Sequence, residues 1–327
     1  MATYKEIKGF NIKSLSTDPS TPLEGEIWFN STSGTLKVAP LVVPVWASGG
    51  TNPYTAYDAC GFGTPTAAVI CCGNSPPQID TANEYNGTSF SPTTAYPSPQ
   101  SGADGDGPQT AGLVAGGYSG GYLTLNCDYN GTAWSVNPVM NAARSGLGLL
   151  GNTAAQTAAI AVSGEGPSAP VTTSTSDYDG SSWTAGAAVP TWKQGTSAGG
   201  TTSAGIAMGG TAPIATNSLI YNGSSWSAGP TMNSPHVSAG GGGLATAAVC
   251  FGGTTAGSNA ATEDYDGSSW GSAGNMATAV SNCHGKATID GPTAFVATGS
   301  DGSGPARTDV SQVRGGFLVE TQTVTTS

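Results

Sequence analysis

From residue 46 onward, short apolar runs return at a regular step along the chain, separated by stretches rich in Gly, Ser and Thr. The runs Val69–Gly73, Leu113–Gly117, Ile160–Gly164, Ile206–Gly210, Val249–Gly253 and Phe295–Gly299 are continuous rather than alternating. That pattern suits strands covered on both faces. A variable loop follows each of the first five, then a tyrosine, a short polar turn and an aromatic ring. The pairs are Tyr85 and Phe90, Tyr129 and Trp134, Tyr178 and Trp183, Tyr221 and Trp226, and Tyr265 and Trp270. Between them stands Asn-Gly or Asp-Gly, which predicts a β-hairpin with a type I′ turn. Positions 90, 134, 183, 226 and 270 are separated by 44, 49, 43 and 44 residues, and Trp46 lies 44 before Phe90 as a degenerate first member. A period in the mid-forties made of strand pairs predicts an all-β, six-bladed propeller over 46–327, one blade per repeat.

The sixth repeat departs from the others. After Thr308–Val313 no Tyr-Asp-Gly turn and no tryptophan follow, and the chain ends on Arg314-Gly-Gly-Phe-Leu-Val-Glu-Thr-Gln-Thr-Val324 and three further residues. One blade lacks its tryptophan strand at the end, while an orphan tryptophan strand stands at Trp46–Gly50. Pairing of 46–50 with 308–313 would close the ring and remove an open sheet edge. Residues 317–324 would then pair outside that blade or with the N-terminal hairpin.

Residues 1–45 have another texture, richer in Lys, Glu, Ile and Pro. Asp18–Pro22 reads as a turning linker, and Gly25–Val38 as a hairpin with strands 26–30 and 35–38. Apolar Ile7, Phe10, Ile12, Leu15, Ile27 and Trp28 have no repeat to pack into, so this arm is expected to attach the propeller to a partner surface. The competing expectation is an arm folded back as a cap on the rim of the last blade.

Composition narrows the function classes. Nine cationic residues and a net charge of −11 give no basic stripe, which argues against nucleic-acid binding. No apolar run reaches the roughly 20 residues of a membrane span, and Met1–Lys8 lacks the apolar core of a Sec signal. The six cysteines form no CxxC and read as buried free thiols.

Arg144, Arg307 and Arg314 are too few and scattered for the arginine cluster of a sialidase site. His236 and His284 are the only histidines, read as solvated or hydrogen-bonded loop residues rather than copper ligands. Asp104-Gly-Asp106-Gly offers alternate carboxylates for calcium but lacks the remaining ligands, and reads as a solvated loop. The Asn-x-Ser/Thr sites at Asn30, Asn86, Asn130 and Asn222 are explained by turns. Regularly spaced Tyr and Trp read as wedges between blades rather than sugar platforms. The expectation is a protein with no catalytic residues, no cofactor and no metal.

Glycine pair, then Tyr, then Trp, once per repeat, resembles the kelch motif over about 46–313. A second resemblance covers nearly the whole chain. Met1-Ala-Thr-Tyr-Lys-Glu-Ile-Lys-Gly9, the Gly25–Val38 hairpin and the Ala-rich repeats with Tyr-Asn-Gly-Ser-Ser-Trp226 look like virion structural proteins of marine tailed bacteriophages. Repeats of that family carry Asn-x-Ala-Arg at the first strand, kept here only at Asn141-Ala-Ala-Arg144. The resemblance implies a non-enzymatic particle component that is assembled in the host cytoplasm and partners other virion proteins of tail, fibre or capsid. It implies display of the propeller outward, with host-surface glycan as a further partner. Short arms gain affinity from several copies, so a homo-oligomer or multi-copy array is expected. The alternatives are a lectin-like adhesin and a purely structural decoration protein.

Overall fold

The computed structural model describes residues 12–19, 26–38, 44–53, 55–167, 173–191, 194–211, 216–254, 257–283, 293–296, 298–300, 312–315 and 322–323. Contacts divide the chain into two units, Met1–Val43 with Gly316–Ser327, and Pro44–Gly315. Among the described residues the chain is all-β, with a single 3-10 turn at Asn152–Ala154.

The larger unit holds six of the seven sheets. Each of the first five is a four-stranded antiparallel meander, such as Gly148–Leu150, Ala159–Val162, Thr175–Tyr178 and Trp183–Ala185. The first strands of successive sheets neighbour one another, as in a β-propeller. The apolar runs form the second strands and are buried throughout, as in Ala159–Val162 and Gly112–Ala115.

The sixth sheet is assembled from both ends of the unit. Ala294–Val296 pairs with Gln312–Gly315, which in turn pairs with Val45–Ser48, placing Trp46 opposite Arg314. The Trp46 strand therefore closes the ring, although its partner is 312–315 rather than 308–313. Residues 301–311 and 284–292 lie outside the described residues.

The turns differ from the type I′ expectation. Tyr and the following aromatic face each other across four residues, as in Tyr178 and Trp183. Within each turn only the glycine carries a positive φ, between +87° and +92° at Gly87, Gly131, Gly180, Gly223 and Gly267. Type I′ needs two. The Asn or Asp side chain does the remaining work: Asp179 Oδ1 accepts the N–H groups of Ser181 and Ser182 at 2.8 and 2.7 Å. Asn86, Asn130, Asn222 and Asp266 do the same, which is why Asn and Asp interchange there. Serine hydroxyls and these N–H groups hold the Asp179 and Asp266 carboxyls down at about 2.

The recurring glycine pair is a pair of left-handed residues. Cys72-Gly73 and Ser163-Gly164 adopt positive φ at both positions, as Gly252-Gly253 does. The first place tolerates Cys or Ser, whereas the second does not: a Cβ on Gly253 would come within 2.6 Å of the Val237 carbonyl. In the first repeat the pair is therefore Cys72-Gly73, at the end of the apolar run.

The smaller unit is a sheet ordered Lys13–Leu15, Ile27–Asn30, Thr35–Val38, Gln322–Thr323. The hairpin lies where its pattern placed it. Gln322-Thr323 extends the hairpin, one of the two pairings expected for 317–324, and contacts group Gly316–Ser327 with this unit although the expected propeller bounds ran to 327.

Candidate functional site

The six sheets of the larger unit each send one left-handed residue to a common ring. These are Asp58, Gly102, Gly146, Gly195, Ser238 and Asn282, with φ between +50° and +65°. Successive members lie 44, 44, 49, 43 and 44 residues apart, the step of the aromatic turns. Each backbone N–H donates to the preceding member's carbonyl: Gly102 to Asp58 at 2.9 Å, Gly146 to Gly102 at 2.8 Å, Gly195 to Gly146 at 2.8 Å and Ser238 to Gly195 at 3.1 Å. Asp58 donates to the Asn282 carbonyl at 3.1 Å, and the Cys283 N–H completes the circle to Ser238 at 3.3 Å. Gly, Asp and Asn enter left-handed backbone most readily, and they fill five of the six positions.

The ring lines a cup of about 180 Å³. Its side chains are Asp58, Ser145, Gln194, Ser238 and Asn282: one carboxylate, two amides and two hydroxyls. Such a set can hold a small polar molecule through both donors and acceptors. Sequence reasoning missed it because the ring residues share no side-chain type. Only their constant step could have signalled them.

Two residues before five of the ring members stand buried side chains, Ala56, Gln100, Arg144, His236 and Val280, while residue 193 lies outside the described residues. Arg144 is buried, and its guanidinium donates to the Ser163 and Ser174 carbonyls at 3.2 and 2.9 Å and to Ser176 Oγ at 2.8 Å. Burial pulls its pKa down to about 10. His236 holds the same place two sheets later, also buried, with Nδ1 at 2.8 Å from the Gly252 carbonyl and Nε2 at 3.3 Å from Glu263 Oε1. Burial opposes its charge, but Cys250, Glu263 and the Gly252 carbonyl outweigh burial and raise it to about 10. Burial likewise pushes Glu263 up, and His236 with the Asn233 and Ser234 N–H groups outweighs it, leaving that carboxyl lowered. Asn-x-Ala-Arg is thus one solution to a position that histidine also fills. His284, the other histidine, lies outside the described residues.

The turn aromatics sit between sheets. Tyr85, Tyr129, Tyr178, Tyr221 and Tyr265 are buried, with Trp183, Trp226 and Trp270, while Phe90, Trp134 and Trp46 are partly buried. Each Tyr packs on its own turn ring at 4.7–5.2 Å between centroids. Tyr178 and Trp183 pack against Leu113 and Ala115 of the preceding sheet. Trp46 meets Phe251 edge-on at 5.0 Å and donates Nε1–H to Thr262 Oγ1 at 2.9 Å. Tyr129 donates to Glu84 Oε1 at 2.6 Å, and burial together with that carboxylate pushes its phenol up to about 12.

Other candidates find structural employment. Asp104 and Asp106 lie on a strand, not in a solvated loop, and accept the Leu149 and Asn152 N–H groups at 2.8 and 3.0 Å from the next sheet. All six cysteines are free and buried. Burial raises the thiols of Cys71, Cys127 and Cys283, the last two to about 11 and about 12, so they stay protonated near neutrality. In the smaller unit Trp28 is buried and donates Nε1–H to Asp18 at 2.8 Å, whereas Ile12 and Ile27 are exposed. Ile7 and Phe10 lie outside the described residues.

No family model matches the chain, and no curated protein matches it. The solved structure of YjhT matches with a TM-score of 0.66 at 13% identity, covering 84% of this chain and 99% of that one. It is one of 219 matching solved chains, and a fold so widely used does not name a function. These likenesses give no support to a virion origin, which stands on the sequence motifs alone. What they show is the fold: the chain is an all-β protein of the β-propeller kind.

Proposed function

We propose that this chain is a non-enzymatic display protein of a phage particle, a six-bladed propeller carried on a small attachment sheet. The observation that carries the reading is the second unit. Strands that precede and follow the larger unit in sequence pair in one separate sheet, where Ile27 and Phe29 are 48 and 39% exposed, with the adjoining Ile12 at 38%. Exposed apolar side chains on a small sheet favour a partner surface, and the phage-like hairpin motif supplies the kind of partner, a neighbouring virion protein. Several copies on one particle would strengthen a short attachment. The test keeps the full chain and introduces Ile27→Asp with Phe29→Asp. Folded variant that no longer joins particles supports attachment, and normal incorporation overturns it.

Host-glycan recognition is the second reading, favoured by the polar cup. Asp58, Gln194 and Asn282 present acceptors and donors suited to sugar hydroxyls. Glycan-array binding that Gln194→Ala and Asn282→Ala abolish would establish it. Turnover of a glycan, lost in Asp58→Asn, would instead overturn the non-enzymatic reading.

A further inference from the structure

The same cross-strand pair of backbone carbonyls recurs from sheet to sheet, and among the described residues a glutamine from the next sheet fills it at the first two junctions. At the first, Gln109 Nε2 reaches back from the second sheet to the Ala68 and Tyr85 carbonyls at 2.9 and 3.1 Å. At the second, Gln156 Nε2 reaches back from the third sheet to the Gly112 and Tyr129 carbonyls at 3.1 and 2.9 Å. In both cases the two acceptors are cross-strand partners, Ala68 with Tyr85 and Gly112 with Tyr129. Each carbonyl can take a second donor beside its ladder bond.

The equivalent pair in the third sheet is Ala159 and Tyr178. Here no glutamine arrives. The fourth sheet turns between Thr201 and Ala204 with only Thr202 and Ser203, whereas the glutamine-bearing hairpins span Gly107–Ala111 and Gly151–Ala158. Ala159 and Tyr178 instead line a groove of about 380 Å³, with Thr202 and Tyr221 on its far side.

The groove also carries one carboxylate more than the two preceding junctions. It is lined by Asp177, whose place Glu84 and Asp128 hold there, and by Asp179, the turn residue that is Asn at 86, 130 and 222. Asp177 Oδ1 is buried and has no hydrogen-bond partner, and burial raises that carboxyl. At the next junction, where the hairpin is equally short, Ile220 and Asn222 stand in place of the two carboxylates. The third–fourth junction thus joins an open carbonyl pair to negative charge.

We infer that the groove between the third and fourth sheets binds an alkylammonium group, which takes the position that the glutamine amide nitrogen holds at the two preceding junctions. An ammonium carries three donors on a flexible stem, enough for both carbonyls and a carboxylate. Charge assistance makes those bonds stronger than the amide's. A lysine side chain and a free diamine share this chemistry.

The test uses the full chain labelled for amide NMR and titrated with Nα-acetyl-lysine methylamide, with putrescine, and with the uncharged Nα-acetyl-norleucine methylamide. The lysine probe should shift the amides of Ala159, Tyr178, Asp179 and Thr202 together in one saturable process, and the norleucine probe should leave them in place. Putrescine binding more tightly than the lysine probe assigns a free diamine, and the reverse order assigns a protein lysine. Asp179→Asn, a residue already present in three sister turns, should weaken binding by about fivefold or more at unchanged melting temperature. Replacing Thr202–Ser203 by the Gly107–Ala111 segment supplies a glutamine in cis and should abolish binding. Equal affinity in Asp179→Asn, equal shifts with norleucine, or shifts that never saturate would each overturn the assignment.

Discussion

Tyr265 and Arg314 hold the same place in successive sheets, each opposite the ring of its own turn or closing strand, Trp270 and Trp46. Around Tyr265 the junction is apolar: Ile206, Met208 and Ile220 of the preceding sheet pack on the Tyr-Trp pair. At Arg314 the junction is ionic, with the guanidinium buried and forked onto Asp264 at 2.8 and 2.6 Å. Asp264 is the residue before Tyr265, as Ile220 is the residue before Tyr221, so one register position carries either chemistry. The difference teaches what closure requires. A strand brought in from the far end of the sequence must find its register without a connecting turn. A directional bidentate pair defines register more narrowly than greasy contact does.

The comparison breaks most completely if the closing strand is removed. Deleting Val45–Ser48 leaves Gln312–Gly315 as an open edge, so the chain should lose its cooperative melt or associate through that edge, read by calorimetry and size-exclusion chromatography. Next comes Trp226→Ala in an ordinary repeat, where Trp226 is 7% exposed. It should cost about 3–5 kcal/mol in denaturant melts without changing association state.

Arg314→Ala should cost roughly 3 kcal/mol by stranding Asp264, which is partly exposed. The double variant Arg314→Tyr with Asp264→Ile rebuilds the fourth–fifth junction at the closure. It should recover most of that loss if ion pairing serves register alone, and a double-mutant cycle measures the remainder.

Among the described residues, His236 with Glu263 forms a second ion pair, this one buried on both sides, and pH separates it from the neutral repeats. His236 is raised from 6.5 to about 10, so its contribution is fully present below about pH 6.5 and is lost as pH rises through about 10. Glu263 is lowered from 4.5, so its contribution is present above pH 4.5 and fades as pH falls through its folded value. The melting-temperature gap between wild type and His236→Gln should therefore be widest between about pH 4.5 and 6.5, worth about 2 kcal/mol, and shrink toward pH 10. The smallest effect belongs to Asp266→Asn. Asn makes the same turn at 86, 130 and 222, so the melting temperature should not change measurably near neutral pH.

Much of this was legible in the residues. The step between Phe90, Trp134, Trp183, Trp226 and Trp270 located the first five sheets, and the orphan Trp46 announced the strand that completes the sixth. Arg314 was legible only as the absence of a tyrosine. Its partner, Asp264, lies 50 positions away in the sequence, and nothing local links a cation to a carboxylate in another sheet. The axial cup was hidden for a related reason: Asp58, Gly102, Gly146, Gly195, Ser238 and Asn282 share a backbone angle, and several different residues can adopt it.

The sequence by itself determined the local elements: where strands run, where Asn-Gly and Asp-Gly reverse the chain, and that the units repeat. Those choices depend on torsional preference and on apolar patterning within a few residues, which a linear reading can follow. Tertiary structure decided that Gln322-Thr323 takes the N-terminal hairpin rather than the blade edge as its partner, that Asp104 and Asp106 staple two sheets, and that the carbonyl pair met by Gln109 and Gln156 at two junctions lines a groove with Asp177 and Asp179 at the third. Each of these turns on which hydrogen-bonding groups meet across sheets. That follows from hairpin length and closure geometry and not from any residue's own preference.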